Sequence, residues 1–509
     1  MTKKRVFVFL AVIIVMALSI SLLVACNRPS DANNNGNGYG DNEQIADENL
    51  TPTAQLVYEL NAEGTGYILT DAKVANENNI KAKKTTIVVA DKYNELPVVG
   101  IAPEVFKDFK GLTKVTVIGD NLQYVGDRAF FNCSSIAEVK LGGGLKTIGN
   151  GAFRDCVALA NITLPKKENT LESIGDSAFM NCAALASIEI PEGFKSFGLG
   201  AFRKCTKLES IVIPKSITVI GKQLFQECSG LKYVQLSEET TAIKEEAFDR
   251  CNNLIVMQDK KIEIPTDKNA KVESKITIPS KVVEIERKAF NACGKMKKVI
   301  LPSGITEIAE YTFFGSGITE IELQGKVTEI GVSAFEKCDS LKTINIPDTL
   351  RYIKENAFSG TSKLAEINLN QNLYEICDYA FSFSGLEEIH IPSGVSRIGK
   401  YAFQDCKKLK KVFFPATLKL IDEGAFRNAG KPEEITDAEG NVTETENLQI
   451  TYDFTGTTEQ WNAIVKKGPY FWGNDKTPVE IICHNGTTEE RVPLVLTNIP
   501  EQSTEQEQA

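Results

Sequence analysis

A phenylalanine that returns about every 23 residues constrains this chain more than any other feature. The anchors are Phe106, Phe130, Phe153, Phe179, Phe202, Phe225, Phe248, Phe290, Phe313, Phe335, Phe358, Phe381, Phe403 and Phe426, and most gaps between them are 22 to 24 residues. Several stand in the phrase Ala-Phe-x-x-Cys, as at Ala152-Phe153 to Cys156 and Ala247-Phe248 to Cys251. A fixed period of this size predicts a solenoid of small stacked units, not a globular enzyme core.

One copy shows what the unit is made of. Ile211 and Ile213 alternate with polar or variable positions, the period of a half-buried strand. Pro214 ends that strand, because proline has no N–H to give a ladder. Ile217 and Ile220 begin a second short extended piece, and Gly221 marks a turn. The Ala-Phe-x-x-Cys phrase reads as one turn of α- or 3₁₀-helix with Ala, Phe and Cys on its inner side. The strand pair recurs at Ile162/Leu164, Ile188/Ile190, Val234/Leu236, Ile276/Ile278, Val299/Leu301, Ile321/Leu323, Ile344/Ile346, Ile367/Leu369, Ile389/Ile391 and Val412/Phe414. Burial of about seven apolar side chains per repeat contributes ~10–20 kcal/mol. Ordering about 23 residues costs at least as much, so stacking is obligatory.

The interval from Phe248 to Phe290 is 42 residues and breaks the rhythm. It holds two strand patterns, Ile262-Glu-Ile264-Pro265 and Ile276-Thr-Ile278-Pro279, but only one Ala-Phe. A shortened repeat lacking its helical turn, or a loop excursion, is expected around residues 254–275.

The 12 cysteines invite a disulfide reading, which their positions argue against. Cys133, Cys156, Cys182, Cys205, Cys228, Cys251, Cys293, Cys338 and Cys406 share one column, three residues after the repeat phenylalanine. Elsewhere that column holds Ser316, Thr361, Ser384 or Ala429. Such a column asks for a small side chain with a weak donor for a loop carbonyl, not for a bonding partner. Equivalent Cβ vectors in stacked units also run parallel, which suits bridging poorly. Free buried thiols are expected; one or two bridges between neighbouring units are left open. With 2 histidines and no paired Cys-x-x-Cys, neither a metal site nor a cofactor is expected.

The first residues are a different material. Lys3, Lys4 and Arg5 precede a nearly unbroken apolar run from Val6 to Val24, followed by Ala25 and Cys26. Basic, apolar, small-residue: this is the order of a secretory signal. Leu23-Val24-Ala25-Cys26 resembles the lipobox of bacterial lipoproteins, which implies cleavage before Cys26 and lipid on its thiol and new amino terminus. A retained membrane anchor or a plain secretory peptide would equally place the rest outside the cytoplasm. Residues 26–50, rich in Asn, Gly and Asp, cannot bury enough surface to fold. As a coil they would span ~25–30 Å, a tether between anchor and body. The formal charge of −10, with both signs interspersed, argues against a nucleic-acid groove. No phosphate loop, metal helix or nucleophile elbow is present, so the chain does not read as an enzyme.

Taken together, the frame of a strand ending Ile-x-Ile-Pro, then Ile-Gly-x-x-Ala-Phe-x-x-Cys-x-x-Leu, resembles the BspA-like leucine-rich repeats of bacterial surface proteins. The resemblance implies a β-rich parallel solenoid from 96 to 430 with about 14 repeats and small β caps at 51–95 and 448–497. Residues 1–25 are then the signal, 431–447 an acidic loop and 498–509 a disordered tail. It also implies display on the cell surface and binding through one ladder face, with no particular ligand.

On that face, the residues flanking the first buried aliphatic of each strand should point outward. These columns do not repeat, although the buried ones do. The candidate ligand face is Tyr233, Glu320, Glu322, Glu366, Glu388, His390, Lys411 and Phe413, an acidic strip with aromatic and basic neighbours. Few aromatics favour a protein partner over a glycan. The leading expectation is a lipid-anchored adhesion or interaction protein. The alternatives are a passive envelope spacer and a substrate-capture lipoprotein.

Overall fold

The computed structural model describes residues 53–72, 85–166, 170–267, 270–430, 435–436, 442–443, 450–467, 479–485 and 488–494. The expected signal segment, the tether with Cys26, most of the acidic loop and the tail lie outside the described residues. Among the described residues no helix is long and apolar enough to cross a membrane.

Each coil begins with a strand of a first parallel ladder, as at Glu138–Lys140 and Asn161–Thr163, paired Val139 to Ile162. It turns at a proline or its equivalent and adds two residues to a second parallel ladder, as at Thr147–Ile148 and Ser173–Ile174. It closes through the phenylalanine turn. Apart from shifts at Tyr67/Ile68 and Thr85/Thr86 in the first strands, the parallel pairs stay in register, so buried aliphatics sit on their counterparts in the next coil and one hydrophobic core runs through the stack.

The phenylalanine turn carries 3₁₀-type bonds but does not continue as a helix. The N–H groups of Ala129, Phe131 and Cys133 donate back three residues, to Gly126, Arg128 and Phe130. The alternate N–H groups of Arg128, Phe130 and Asn132 donate sideways instead, to Asn150, Ala152 and Arg154 of the next coil. Arg128 and Asn132 have φ of 54° and 58°, the positive value that the third residue of a type II turn requires. A helix would spend every N–H within its own turn and leave none for stacking. The turn thereby becomes a third ladder of the solenoid.

Inside it the phenylalanine rings form one continuous stack from Phe106 to Phe426. Successive centroids lie 4.9 to 5.8 Å apart, with interplanar angles of 4° to 17°. Beside the rings, the column cysteines are free buried thiols, as expected. Each bonds to the carbonyl of the phenylalanine one coil earlier, from Cys133 on Phe106 at 2.9 Å to Cys406 on Phe381 at 3.1 Å.

The irregular stretch resolves into a partial coil. Strand Val256–Gln258 pairs with Tyr233–Gln235 on one side and with Lys275–Thr277 on the other. The second ladder skips it, Ala242–Ile243 pairing directly with Glu284–Ile285. Phe248 likewise stacks directly on Phe290 at 5.5 Å. The insertion is therefore a repeat reduced to its first strand, without its turn. It lengthens the first ladder by one strand spacing, ~4.8 Å, on that side only.

Strands expected at Ile188/Ile190 and Ile367/Leu369 do not form, although Ile188 and Ile367 stay buried. The strand at Thr343–Ile344 is cut short because the Asn345 side chain takes over the ladder bonds. Its Oδ1 accepts from the Leu323 N–H at 2.8 Å and its Nδ2 donates to the Leu323 carbonyl at 3.0 Å.

Both ends of the stack are covered. Leu56–Leu60 pairs antiparallel with Tyr67–Ala72, which joins the second ladder at Leu96–Ile101. At the other end Thr451–Phe454 pairs parallel with Lys411–Phe414, and a hairpin of Val479–Asn485 and Thr488–Leu494 completes the sheet. Trp461, on the short helix Thr458–Ala463, packs on Phe414 and Phe454. Terminal units of this kind hide a core edge that would otherwise template further strands.

Candidate functional site

The period-two alternation of the first-ladder strands sends their aliphatics inward and the intervening side chains outward. The structure sorts the outward residues into three groups.

Tyr233 does not belong to the outer face. It is 7% exposed. The inserted partial coil runs back over this strand, with the Ile262 N–H donating to the Gln235 side chain at 3.2 Å. The expectation failed because the cover comes from a segment that has no counterpart in other repeats.

The middle of the strip is less acidic than the sequence implies. Glu320 faces Lys298 across the ladder and pairs with it at 2.7 Å. That bond holds the Lys298 ammonium above its ordinary pKa. Glu322, one position along, accepts from Gln324 at 3.1 Å. Glu366 is exposed, but it lies where the ladder is interrupted, between the sheet ending at Thr343–Ile344 and the one starting at Glu388–His390.

The last sheet brings the other candidates together. Register places Glu388 beside Lys411 and His390 beside Phe413 on adjacent strands. The His390 ring lies flat against the Phe413 ring, centroids 4.1 Å apart at 7°. Its Nε2 is 2.6 Å from the Glu388 carboxylate, two residues back on the same strand. The next strand sets Asp453 beside Phe413, and Asp453 is 2.8 Å from Nε2 of His484 on the strand beyond. Both histidines of the chain thus stand on one sheet, each against a carboxylate, with Phe413 between them.

Asp453 falls outside the outward columns, whereas Lys298 stands in one of them although not in the candidate face. Lys298 lies in the same outward column as Glu320 and was available from spacing alone. Asp453 lies 40 residues after Phe413, beyond the irregular connection, where counting by 23 fails. The inward Tyr452 and Phe454 on either side of it were the local signal.

Among the described residues, no hydroxyl or thiol is bonded to either imidazole, so neither pair forms a nucleophile–base arrangement. No group of three or more His, Cys, Asp or Glu suited to a metal ion occurs among them. The sheet instead offers adjacent aromatic, cationic and anionic groups on a rigid surface, the composition from which interface hot spots are drawn.

A family profile described as "BspA type Leucine rich repeat region (6 copies)" matches residues 99–171, 166–268, 260–384 and 329–449. Solved structures are similar as well. A leucine-rich cell surface protein from Faecalibacterium prausnitzii is 21% identical over 82% of this chain and 98% of its own, with a TM-score of 0.42. A leucine-rich-repeat protein from Bacteroides ovatus is 24% identical over 72% and 95%, with a TM-score of 0.47. The leucine-rich-repeat protein of T. pallidum is 24% identical over 48% and 90%, with a TM-score of 0.35. No curated protein matches the chain.

Proposed function

Because the chain belongs to the BspA-type leucine-rich-repeat family, a family of bacterial surface proteins, we propose that it is exported and lipid-anchored through Cys26. In this reading it binds a macromolecular partner at the cell surface through its first-ladder face. A protein suits that face better than a glycan, because its aromatic content is small and its charges are mixed. The carrying observation is the sheet on which Glu388, His390, Lys411, Phe413, Asp453 and His484 lie side by side. Core columns repeat because each coil must fit its neighbour. These outward ones are free to differ, and here the unlike side chains gather. No catalytic role is assigned.

Two experiments test the reading. Cells displaying the full chain should adhere to protein-coated surfaces, and the combined Glu388→Ala, His390→Ala, Lys411→Ala and Phe413→Ala variant should lose most of that adhesion at equal display. Undiminished adhesion overturns the assignment to this face, and a chain that adheres to nothing favours the passive spacer. For the anchor, a Cys26→Ser variant should leave the membrane fraction; one that stays there overturns lipidation.

A further inference from the structure

The phenylalanine turn opposite the strand corners carries a feature that adhesion through the ladder face does not use. Six positions normally separate the stacked phenylalanine from the next core aliphatic, as from Phe358 to Leu364 and from Phe403 to Leu409. From Phe381 to Leu386 there are five, as there are from Phe313 to Ile318. The shortened link runs through Gly385, whose N–H donates to the Thr361 carbonyl at 3.1 Å. A Cβ on Gly385 would lie 2.2 Å from the Ser362 carbonyl oxygen, so the short link admits only glycine. Beside this link lies an open cavity of about 300 Å³ between neighbouring coils, at the small end of the ~300–1,000 Å³ range of ligand sites.

Phe383 forms one wall of this cavity, is 51% exposed and has φ of 57°. The same slot is left-handed in the other coils too, held by residues as different as Asn132, Lys204, Arg250, Ala292 and Gly360, so the turn itself sets this backbone. What distinguishes Phe383 is its side chain: the slot is otherwise polar or small, and an aromatic ring there gains little burial. Two further aromatics sit left-handed nearby in sequence and register. Tyr379 in the same turn and Tyr401 in the next have φ of 58° and 55°, and their rings stack at 5.1 Å.

The remaining lining is polar. Asp339 and Asp405 supply carboxylates, the latter also accepting from Gln404 and Asn428; Lys407 and Lys408 supply ammonium groups, and the Ser362 hydroxyl donates to the Asp339 carbonyl. Two carboxylates against two ammonium groups leave no net charge to select an ion. One exposed aromatic face, ringed by donors and acceptors of both kinds, suits a ligand with an apolar C–H face and a rim of hydroxyls. We propose that this cavity binds a sugar unit of a neutral glycan, as a second site separate from the ladder face.

The test uses the full chain in detergent, titrated calorimetrically with maltohexaose, cellohexaose, mannohexaose and xylohexaose, and with polygalacturonate and chitosan as charged probes. At least one neutral hexasaccharide should bind. Phe383→Asn, which suits the left-handed backbone, should weaken it about tenfold or more without lowering the thermal midpoint. Phe413→Ala on the ladder face should leave it unchanged, which separates this site from the adhesive one. Binding of no neutral probe, tighter binding of a charged one, or full binding by Phe383→Asn overturns the proposal.

Discussion

The thiol of Cys228 donates to the carbonyl of Phe202, one coil earlier, at 3.0 Å. The same bond recurs down the column, so each cysteine is at once a small packing residue and a lateral link between coils. Where the column changes residue, the link changes form: Ser384 meets the thiol of Cys406 at 3.2 Å, and Thr361 bonds within its own turn to the Phe358 carbonyl at 2.7 Å.

Thiol accessibility should follow burial. In the folded protein the nine column cysteines are inert to an aromatic disulfide reagent, and half-buried Cys377 reacts slowly. All become reactive in denaturant. Fast native labelling of the column contradicts the packing described.

Alkaline pH should unfold the protein. Burial, the leading cause, pushes the thiols of Cys133, Cys228, Cys338 and Cys406 from 9.0 up to about 12. The unfolded chain therefore loses these protons first. Their contribution is complete below pH ~9 and falls away between pH ~9 and ~12, each thiol withdrawing about 1.4 kcal/mol per pH unit. Denaturant midpoints measured across that window should drop steeply, and a Cys228→Ser variant should show a shallower slope.

Arg397 ties three coils together. Its guanidinium bonds to Glu375, to Asp378 at 3.0 Å and to Asp422 at 2.8 Å, and Asp422 is only 3% exposed. Arg397→Ala should destabilise the C-terminal half by about 3 kcal/mol, because a buried carboxylate loses its main partner. Hydrogen exchange should show the loss concentrated around residues 375–422; a uniform or negligible effect argues against the hub.

The partial coil should be removable. Val256 and Lys275 occupy the same register position on adjacent strands and are 19 residues apart, so deleting 256–274 shortens the 42-residue gap to the regular 23. The deleted chain should still unfold in a cooperative transition, with Tyr233 more exposed. Failure to fold would mean that the insertion closes the ladder rather than interrupting it.

The repeating part of this architecture was legible because every coil solves the same packing problem. Phe153, Cys156 and Ile162 are constrained by identical neighbours, so spacing reveals them. The turn looked helical because Ala-Phe-x-x-Cys has the right inward residues for one helical turn. The signal against it was the Asn, Asp or Gly that so often precedes the cysteine, as at Asn132, Asp155 and Gly360, which marks a positive φ. The outer face was legible only where its surroundings repeat. Burial of Tyr233 and pairing of His484 with Asp453 depend on an insertion and a cap, and both lie outside the period.

The most direct test replaces His390 with a photo-crosslinking residue in the full chain displayed on cells, with exposed Thr306, just before the second-ladder strand Glu307–Ile308, as the matched control. The account predicts covalent capture of one discrete macromolecular partner from His390 and none from Thr306. Equal capture at both positions, or none at His390 under conditions where the cells adhere, contradicts binding through this face.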